Sequence, residues 1–558
     1  ELRELFKRMD EDKDLYYLAS YEMKDKWNKK VEGIFNVTLN LPATFAAHVA
    51  SALMAATQQA VVTGLGLGDD ATIKVESFLK AAFADADRLR RSIGEPAIRA
   101  FVTEQLNIRG RAAARVLCYR GYMGETVMDI LPLDTRYFTY EMGKSGMEWG
   151  AYRTKRSPAA VQAEYPAWKG SVAVVPRGGR VLGGLHQGIE VIDLWDTGQN
   201  RVYIGGQEVR VADHSYGKPP FAFQQVPLGS MLKDADALKH QGESIFFLIR
   251  DLIPELNRLA SVLQTLNMAS VKGAKTWHTP EGIEGTPPKN LDEMGAVTSA
   301  PIGGGAQLVQ QGDIKAAGKL MHSMLTRMIE AGSLSLTDYG NLQFPLSAVA
   351  LVELGESSNQ VFLPRLGAKG LLFQQMAEMI IEQVQGLGSS IVELGARGHR
   401  QQFRVSELKG DYDIEYQYFV KSPQTDVARY AIADVARQFL DDDTILRDVM
   451  QMENPTEIHE KRRYDEAEEL SPNVKLYRTA VALIKQGKKL EAKIIADELG
   501  LTLEQLTTGE ITPKPSRNGN GQQPARNILP PLMGSKAGSN KLASQMSGEM
   551  EPSPREEA

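Results

Sequence analysis

A mixed α+β fold, mainly helical, is what this sequence predicts, and three observations carry it. Apolar residues recur at three- and four-residue steps through most of the chain, the period of helices with one buried face. Between residues 111 and 230 the period changes to two, in short runs broken by Gly and Asp-Thr, as in strands joined by tight turns. After residue 510 both patterns stop, aromatic residues disappear, and Pro, Gly, Ser and Asn dominate. At 558 residues the chain is too long for one core, so several domains or one extended body are expected. Its 42% apolar content is enough to bury a real interior.

Residues 1–120 read mainly as helix. From Glu76 to Asn107 the apolar set Phe78, Leu79, Ala82, Phe83, Ala86 and Leu89 forms one amphipathic stripe. Gly64, Gly66 and Gly68 resemble a fragment of a phosphate-binding glycine loop, but no Lys-Ser or Lys-Thr pair follows, so a turn before Asp69 is the reading. Strands are expected at Ala113–Cys118, Val127–Leu133, Tyr137–Glu141, Glu148–Arg153, Gly188–Trp195, Arg201–Ile204, Glu208–Val211 and Phe221–Val226. Gly217 and Pro219-Pro220 mark the turn before the last.

From Asp236 to residue 271 a helical period returns, interrupted at Pro254, which should kink or divide a helix about 50 Å long. Residues 275–313, rich in Gly and Pro, predict a compact loop-and-strand insert. A second helix is expected at Ile314–Ala331, with Ile314, Ala317, Met321, Met324, Leu325 and Met328 as its packing stripe. Residues 332–346 read as a loop. Helix resumes from Ser347, with a break expected at Pro364, and runs to about Gln385. A β patch (Gln402–Leu408, Tyr412–Val420) precedes charged helices from Thr425 to about Gly500. Residues 511–558 are too poor in apolar groups to offset the entropy of ordering, and disorder is expected there.

Charge and chemistry exclude more than they assign. The net charge of −6 disfavours tight non-specific DNA binding, which draws its affinity from neutralising phosphates. One cysteine, Cys118, allows no intrachain disulfide and no thiolate metal cluster. No apolar run reaches the roughly 18 residues needed to cross a bilayer. The sequence opens at Glu1 rather than Met, and no targeting segment is visible. There is no P-loop, no His-Glu-x-x-His and no G-x-S-x-G, and the eight histidines are scattered without ligand spacing. Asp441-Asp442-Asp443 and the acidic run Asp10–Asp14 read as solvated helix starts rather than metal sites. No enzyme, cofactor or metal is expected.

The order of parts, with several short segments, resembles the portal proteins (head-to-tail connectors) of tailed phages, especially short-tailed ones. The carrying residues are Asn107-Ile108-Arg109-Gly110-Arg111-Ala112, then Ile130-Leu131-Pro132-Leu133-Asp134-Thr135-Arg136, where Thr135 replaces the family's frequent proline. His214-Ser215-Tyr216-Gly217-Lys218-Pro219-Pro220-Phe221 is similar to its strand-entry turn, and Gly242-Glu243-Ser244-Ile245 to its stem entry. Glu453-Asn454-Pro455-Thr456-Glu457-Ile458 with Lys461-Arg462-Arg463 resembles its C-terminal helical hairpin. The likeness covers most of residues 1–510.

The resemblance implies a ring, usually a dodecamer, at a capsid vertex of the virion, assembled in the host cytoplasm. Double-stranded DNA would pass through it during packaging and ejection. It implies a wing (1–235 with 347–424), stem helices (236–272 and 314–331), a clip (273–313), a channel loop (332–346) and a crown (425–510). Partners would be the terminase large subunit, then a tail adaptor, with major capsid or scaffolding protein and no membrane. Lys315, Lys319 and His322 share one face of the second stem helix, away from the methionines. They are read either as channel contacts to phosphates or as solvated or subunit-bridging charges. Thr337, Asp338, Tyr339, Asn341 and Gln343 are the loop's candidates for contact with DNA, without a cation among them, the alternative being a plain surface connection. Trp277, His278 and Lys289 are candidates for docking at the clip, with local packing as the alternative for Trp277 and His278. Two other classes stay open: another ring-forming phage structural protein such as an adaptor, and a nucleic-acid-processing enzyme with an unmotifed carboxylate site.

Overall fold

The computed structural model describes residues 2–502 apart from residues 65–67, 123, 167, 169–187, 233, 272–274, 281–301, 309–314, 334–347, 396–397, 399, 420–422 and 486–487. The chain opens with α1 (Arg3–Tyr16), an irregular arm over residues 17–40, α2 (Leu41–Ala55), β1 (Thr57–Thr63), α3 (Asp69–Ser92) and α4 (Ile98–Ile108). Then follow β2 (Arg111–Arg120), β3 (Thr126–Leu133), β4 (Phe138–Gly143), β5 (Gly146–Arg156), α5 (Pro158–Glu164), β6 (Ile189–Trp195), β7 (Gln199–Ile204), β8 (Gln207–Asp213) and β9 (Phe221–Gln225). The next group is α6 (Leu252–Val271), β10 (Lys275–His278), β11 (Gly305–Leu308), α7 (Lys315–Gly332) and α8 (Ala348–Gly386). After β12 (Ile391–Leu394), β13 (Gln401–Arg404) and β14 (Asp413–Phe419) come α9 (Pro423–Ala436), the single turn α10 (Asp442–Thr444), α11 (Pro455–Leu470), α12 (Pro472–Lys485) and α13 (Lys489–Leu499). The fold is α+β and mainly α.

Two compact units divide the chain at Asp465. In the second, α12 and α13 bury Ala480 and Ala496 among Tyr477, Val481, Ile484, Ile495 and Leu501. In the first, β3-β2-β9 form one antiparallel sheet and β4-β5-β6-β7-β8 a second, a five-stranded meander. All eight strands expected between residues 111 and 230 are present, because alternation such as that of β7, buried at every second residue, is set locally. Strands β1 and β14 pair over residues 57–63 and 413–419, an interaction across most of the unit.

The core of the first unit is organised around α8. Leu366, Leu372, Phe373, Met376, Ala377, Ile380 and Val384 are buried on it at helical spacing, against α2, α3, α4 and the β2 sheet. Gly370 is required where α8 crosses β14, since a Cβ there would meet the Tyr416 carbonyl oxygen at 2.3 Å. The helix also repairs an incomplete strand edge. β9 pairs with β2 only from Arg111 to Arg115, and beyond it the Gln383 amide takes the place of a neighbouring strand. Its Oε1 accepts from the Cys118 N–H at 2.7 Å and its Nε2 donates to the Val116 carbonyl at 2.8 Å.

Several expectations are corrected. The stripe from Glu76 to Asn107 is two helices, because Gly94 at φ +80 and Pro96 end α3 before α4 begins; Leu89 is exposed. Residues 1–120 include the arm and β1, neither of them helical. The pattern from Asp236 gives only a short 3₁₀ helix at Ala235–His240, and the α-helix starts at Leu252. Pro254 lies in the first turn of α6, where its missing N–H costs nothing, so it starts the helix instead of kinking it. Helix α8 continues through Pro364. In the β patch, strand stops at Arg404, residues 405–408 form a 3₁₀ turn, and β12 completes the pair. Asp12 is fully buried rather than solvated. Asp441 is an N-cap, its carboxylate accepting from the Thr444 N–H, in agreement with a helix start. Residues 503–558 and the segment 334–347 lie outside the described residues.

Lys369 on α8 has an environment that generates a prediction. It is 1% exposed, its Nζ donates to the Leu53 carbonyl at 3.2 Å, and it lies 4.6 Å from the Tyr418 ring centroid. Burial, and secondarily Arg99, holds its pKa well below the usual lysine value. A base with a lowered folded-state pKa penalises folding fully below that pKa, and the penalty fades as pH rises toward the unfolded value. Stability should therefore increase with pH across that window. Lys369→Met should flatten this dependence and raise the neutral-pH unfolding midpoint by about 2–4 °C, the shift of roughly 1 kcal/mol. Thermal melts of both proteins from neutral to alkaline pH check it; a lower midpoint for the variant at neutral pH would show the ammonium to be stabilising.

Candidate functional site

Three of the segments that carry the family resemblance converge at one crossing. Gly110 and Gly242 approach so closely that a Cβ on Gly110 would meet the Gly242 oxygen at 1.9 Å, and both have positive φ (+68 and +65). The Ile245 N–H donates to the Asn107 carbonyl at 3.0 Å. Arg8 of α1 spans the crossing, donating to the carbonyls of Arg109 (3.2 Å) and Gly242 (3.0 Å). Four charges close it, three of them buried and Arg250 12% exposed: Arg8 pairs with Glu243 at 3.1 Å, and Arg250 pairs with Asp12 at 2.7 Å and Glu243 at 2.6 Å. The turn at Asp134-Thr135-Arg136 joins through Arg109–Asp134 (3.3 Å) and Arg136–Asp10 (3.0 Å).

This crossing fixes where α6 leaves the body. Ile253 and Leu256 are buried against the core. Along another stripe Asn257, Ser261 and Thr265 bind the arm: their side-chain oxygens accept from the N–H groups of Leu39 (3.0 Å), Val37 (2.8 Å) and Phe35 (3.0 Å). The registers match because four helical residues rise about 6 Å and two extended residues about 6.6 Å. Ser261 and Thr265 also donate to the carbonyls four residues earlier, both at 2.7 Å, so each hydroxyl is doubly used.

Helix α7 returns antiparallel to α6. A Cβ on Gly318 would lie 3.7 Å from Leu263, and one on Gly332 2.9 Å from Ile249, contacts that run in opposite chain directions. The inward stripe is Gly318, Leu325 and Ile329. Leu325 thus packs as expected, but the methionines do not: Met321, Met324 and Met328 are 41, 51 and 51% exposed, beside Leu320 at 64%. The reading of a methionine packing core is corrected. The helix carries three stripes, and the methionines lie on an outer flank that nothing in the described chain covers. Lys319 and His322 are exposed on the opposite flank. Lys315 begins α7, and its side chain lies outside the described set, as do those of Ile314 and Ala317. Thr337, Asp338, Tyr339, Asn341, Gln343 and Lys289 lie outside the described residues altogether.

Between the two helices β10 and β11 pair antiparallel, Trp277 opposite Ala306 and His278 opposite Gly305. His278 is exposed and Trp277 half-buried, its Nε1 without a hydrogen-bond partner among the described residues. Elsewhere, a cleft of about 730 Å³ is lined by Cys118, His214, Lys218, Glu382 and Gln383 among others. Burial pushes the Cys118 thiol up to about 12, which keeps it protonated and inert. His214 is held by the Asp196 carbonyl at 3.1 Å, and Lys218 by Glu382 at 2.6 Å. Among the described residues no group of three or more His, Cys, Asp or Glu is placed to hold a metal, and no helix is long and apolar enough to cross a membrane. The arm and the α6 ladder escaped sequence reasoning, although Asn257, Ser261 and Thr265 at four-residue steps were a readable signal.

No family model matches the chain, and no curated protein matches it significantly. Among solved structures it is similar to a chain of the neck of a native GTA (gene transfer agent) particle computed with C12 symmetry. Identity is 11%, coverage 74% of this chain and 89% of that one, and the TM-score 0.38. A chain of the neck of an empty GTA particle computed with C6 symmetry gives 12% identity, 74% and 90% coverage, and the same TM-score of 0.38. At that score the backbones agree too loosely for the likeness to bear on fold or function.

The ladder on α6 makes a prediction. Ser261→Ala should remove the partner of the Val37 N–H and cost about 1 kcal/mol locally. Hydrogen exchange at Val37 should then accelerate about fivefold, with amides of α8 unchanged; equal acceleration throughout would mean global destabilisation instead.

Proposed function

We propose that this chain is the subunit of a phage-type portal, a ring at a capsid vertex through which double-stranded DNA is packaged and ejected. The observation that carries the reading is the unit formed by α6, the β10–β11 hairpin and α7. Two antiparallel helices of about 30 and 27 Å are joined through a small strand pair, and the first of them is rooted in the core at Ile253 and Leu256. The segments similar to the portal family support it, since three of them pack together at the base of α6.

On this reading α6 and α7 are the stem, residues 273–313 the clip, and residues 425–510 the crown. The exposed flank of Leu320, Met321, Met324 and Met328 is covered by the adjacent subunit, where flexible thioethers fill the irregular gap between neighbouring stems. The opposite flank, with Lys315, Lys319 and His322, faces the channel. One lysine per subunit becomes a belt of charge under ring symmetry, strong enough to guide phosphates and weak enough to release them. The loop carrying Thr337, Asp338, Tyr339, Asn341 and Gln343 reaches into the channel and acts on DNA through polar and aromatic groups. Trp277, His278 and Lys289 lie where the terminase large subunit docks first and a tail adaptor later. The role is structural, without a catalytic step.

Two measurements test this. The mass of the purified protein, with negative-stain images, should give a ring of about a dozen subunits with a central hole. Met324→Glu with Met328→Glu should reduce it to folded monomers; a compact wild-type monomer that binds nucleotide or metal would end the reading. Separately, Lys315→Glu with Lys319→Glu should leave the ring mass intact and lower DNA packaging by about tenfold or more, through like-charge repulsion of phosphates. Unchanged packaging would remove these lysines from the channel.

A further inference from the structure

The arm that docks on α6 carries a second feature, a tight hairpin over residues 23–31. Lys24 and Lys30 form an antiparallel bridge, and the Val31 N–H donates to the Met23 carbonyl at 2.9 Å. Asp25 organises the turn: its Oδ1 accepts from the N–H groups of Trp27 and Lys29, both at 2.9 Å, and its own N–H donates to the Lys29 carbonyl at 2.8 Å. Asn28 occupies the left-handed region at φ +64, which its short amide side chain tolerates. The turn is therefore built, and it presents its long side chains outward.

What it presents is a concentration of positive charge beside an exposed indole. Residues 24–30 hold four lysines and one aspartate within a protein of net charge −6. The aspartate is turned onto backbone amides, and all four lysines are exposed. Lys30 pairs with Glu22 at 2.6 Å, while Lys26 lies 4.2 Å from the centroid of the Trp27 ring. Trp27 itself is 69% exposed. An indole left in water on a rigid turn, between cations, has no role in folding this unit.

We infer that this hairpin is a nucleic-acid contact, in which Lys24, Lys26 and Lys29 engage phosphates and Trp27 lies against the strand. Separate lysines on a protruding turn match a polyanion that offers repeated single charges. A lone indole among cations is the arrangement that stacks on bases. Trp27 is the one apolar side chain in residues 24–30, too little to enter a lipid surface or to fill a pocket on a protein partner. The acidic balance of the whole chain keeps such a contact weak and local. The inference goes beyond the ring reading and does not depend on it, because the hairpin is complete within one subunit.

The test uses the full chain, with binding to a short DNA duplex and to the matching single strand measured across a salt series. Lys24→Glu, Lys26→Glu and Lys29→Glu together should weaken binding about tenfold or more and flatten the log–log salt slope by roughly 2–3. These side chains are exposed, so the melting midpoint should not move. The same reversal at the exposed Lys144, Lys155 and Lys409 should leave affinity within about twofold, as expected if position and not net charge matters. Trp27→Ala separates the two sources: weaker binding of the single strand alone assigns an unpaired strand, and unchanged binding of both assigns duplex phosphates. Affinity equal to wild type in the hairpin variant, an equal loss in the control, or binding of anionic vesicles without binding of nucleic acid would each overturn the inference. If the protein proves monomeric yet the hairpin variant loses DNA, the ring reading fails and this one stands.

Discussion

The charge cluster of Arg8, Asp12, Glu243 and Arg250, built on two fully buried carboxylates, is the constraint on which the rest depends. Asp12 and Glu243 are both fully buried, so each needs its guanidinium partners to offset the loss of hydration. Removing one partner from such a group costs about 3–5 kcal/mol, because the other charge stays buried and uncompensated. Two glycines with positive φ make the crossing physically close enough for Arg8 to reach both carbonyls. That one point joins the first helix, the entry to β2 and the chain that leads into α6.

Helix α8 is the second organising element, packed against the β2 sheet and close enough to the cluster for Arg365 to feel the charge of Glu243. It offers an apolar stripe and, at Gln383 and Gln375, amides that complete backbone pairing where strands end. Polar side chains on a core helix are costly unless every group is paired, and these two are paired to strand backbone. Lys369 and Arg365 are harsher cases on the same helix. Burial lowers the Arg365 guanidinium to about 10, with a carbonyl of its own helix as hydrogen-bond partner.

The α6–α7 pair differs from this core in one respect: it is finished on one side only. Gly318, Leu325 and Ile329 seat α7 on α6, and Asn257, Ser261 and Thr265 seat the arm on α6, while the methionine flank remains open. An exposed apolar flank of this kind marks an interaction surface, which is why the proposed ring places a neighbouring subunit there.

Much of the fold was legible in the sequence, for physical reasons. The eight strands of residues 111–230 follow from alternation, and α3, α7 and α8 from three- and four-residue spacing, all of them local signals. The short segments similar to portals were visible as well, though not that three of them meet. Tertiary structure alone decided what spacing cannot encode. It paired β1 with β14 across some 350 residues of chain, buried Asp12 instead of solvating it, and let α8 run through Pro364. It also turned the methionines outward, because Leu325 and Ile329 on the adjacent stripe already filled the space against α6. Periodicity states that a helix has an apolar face; only the neighbours it meets determine which face that is.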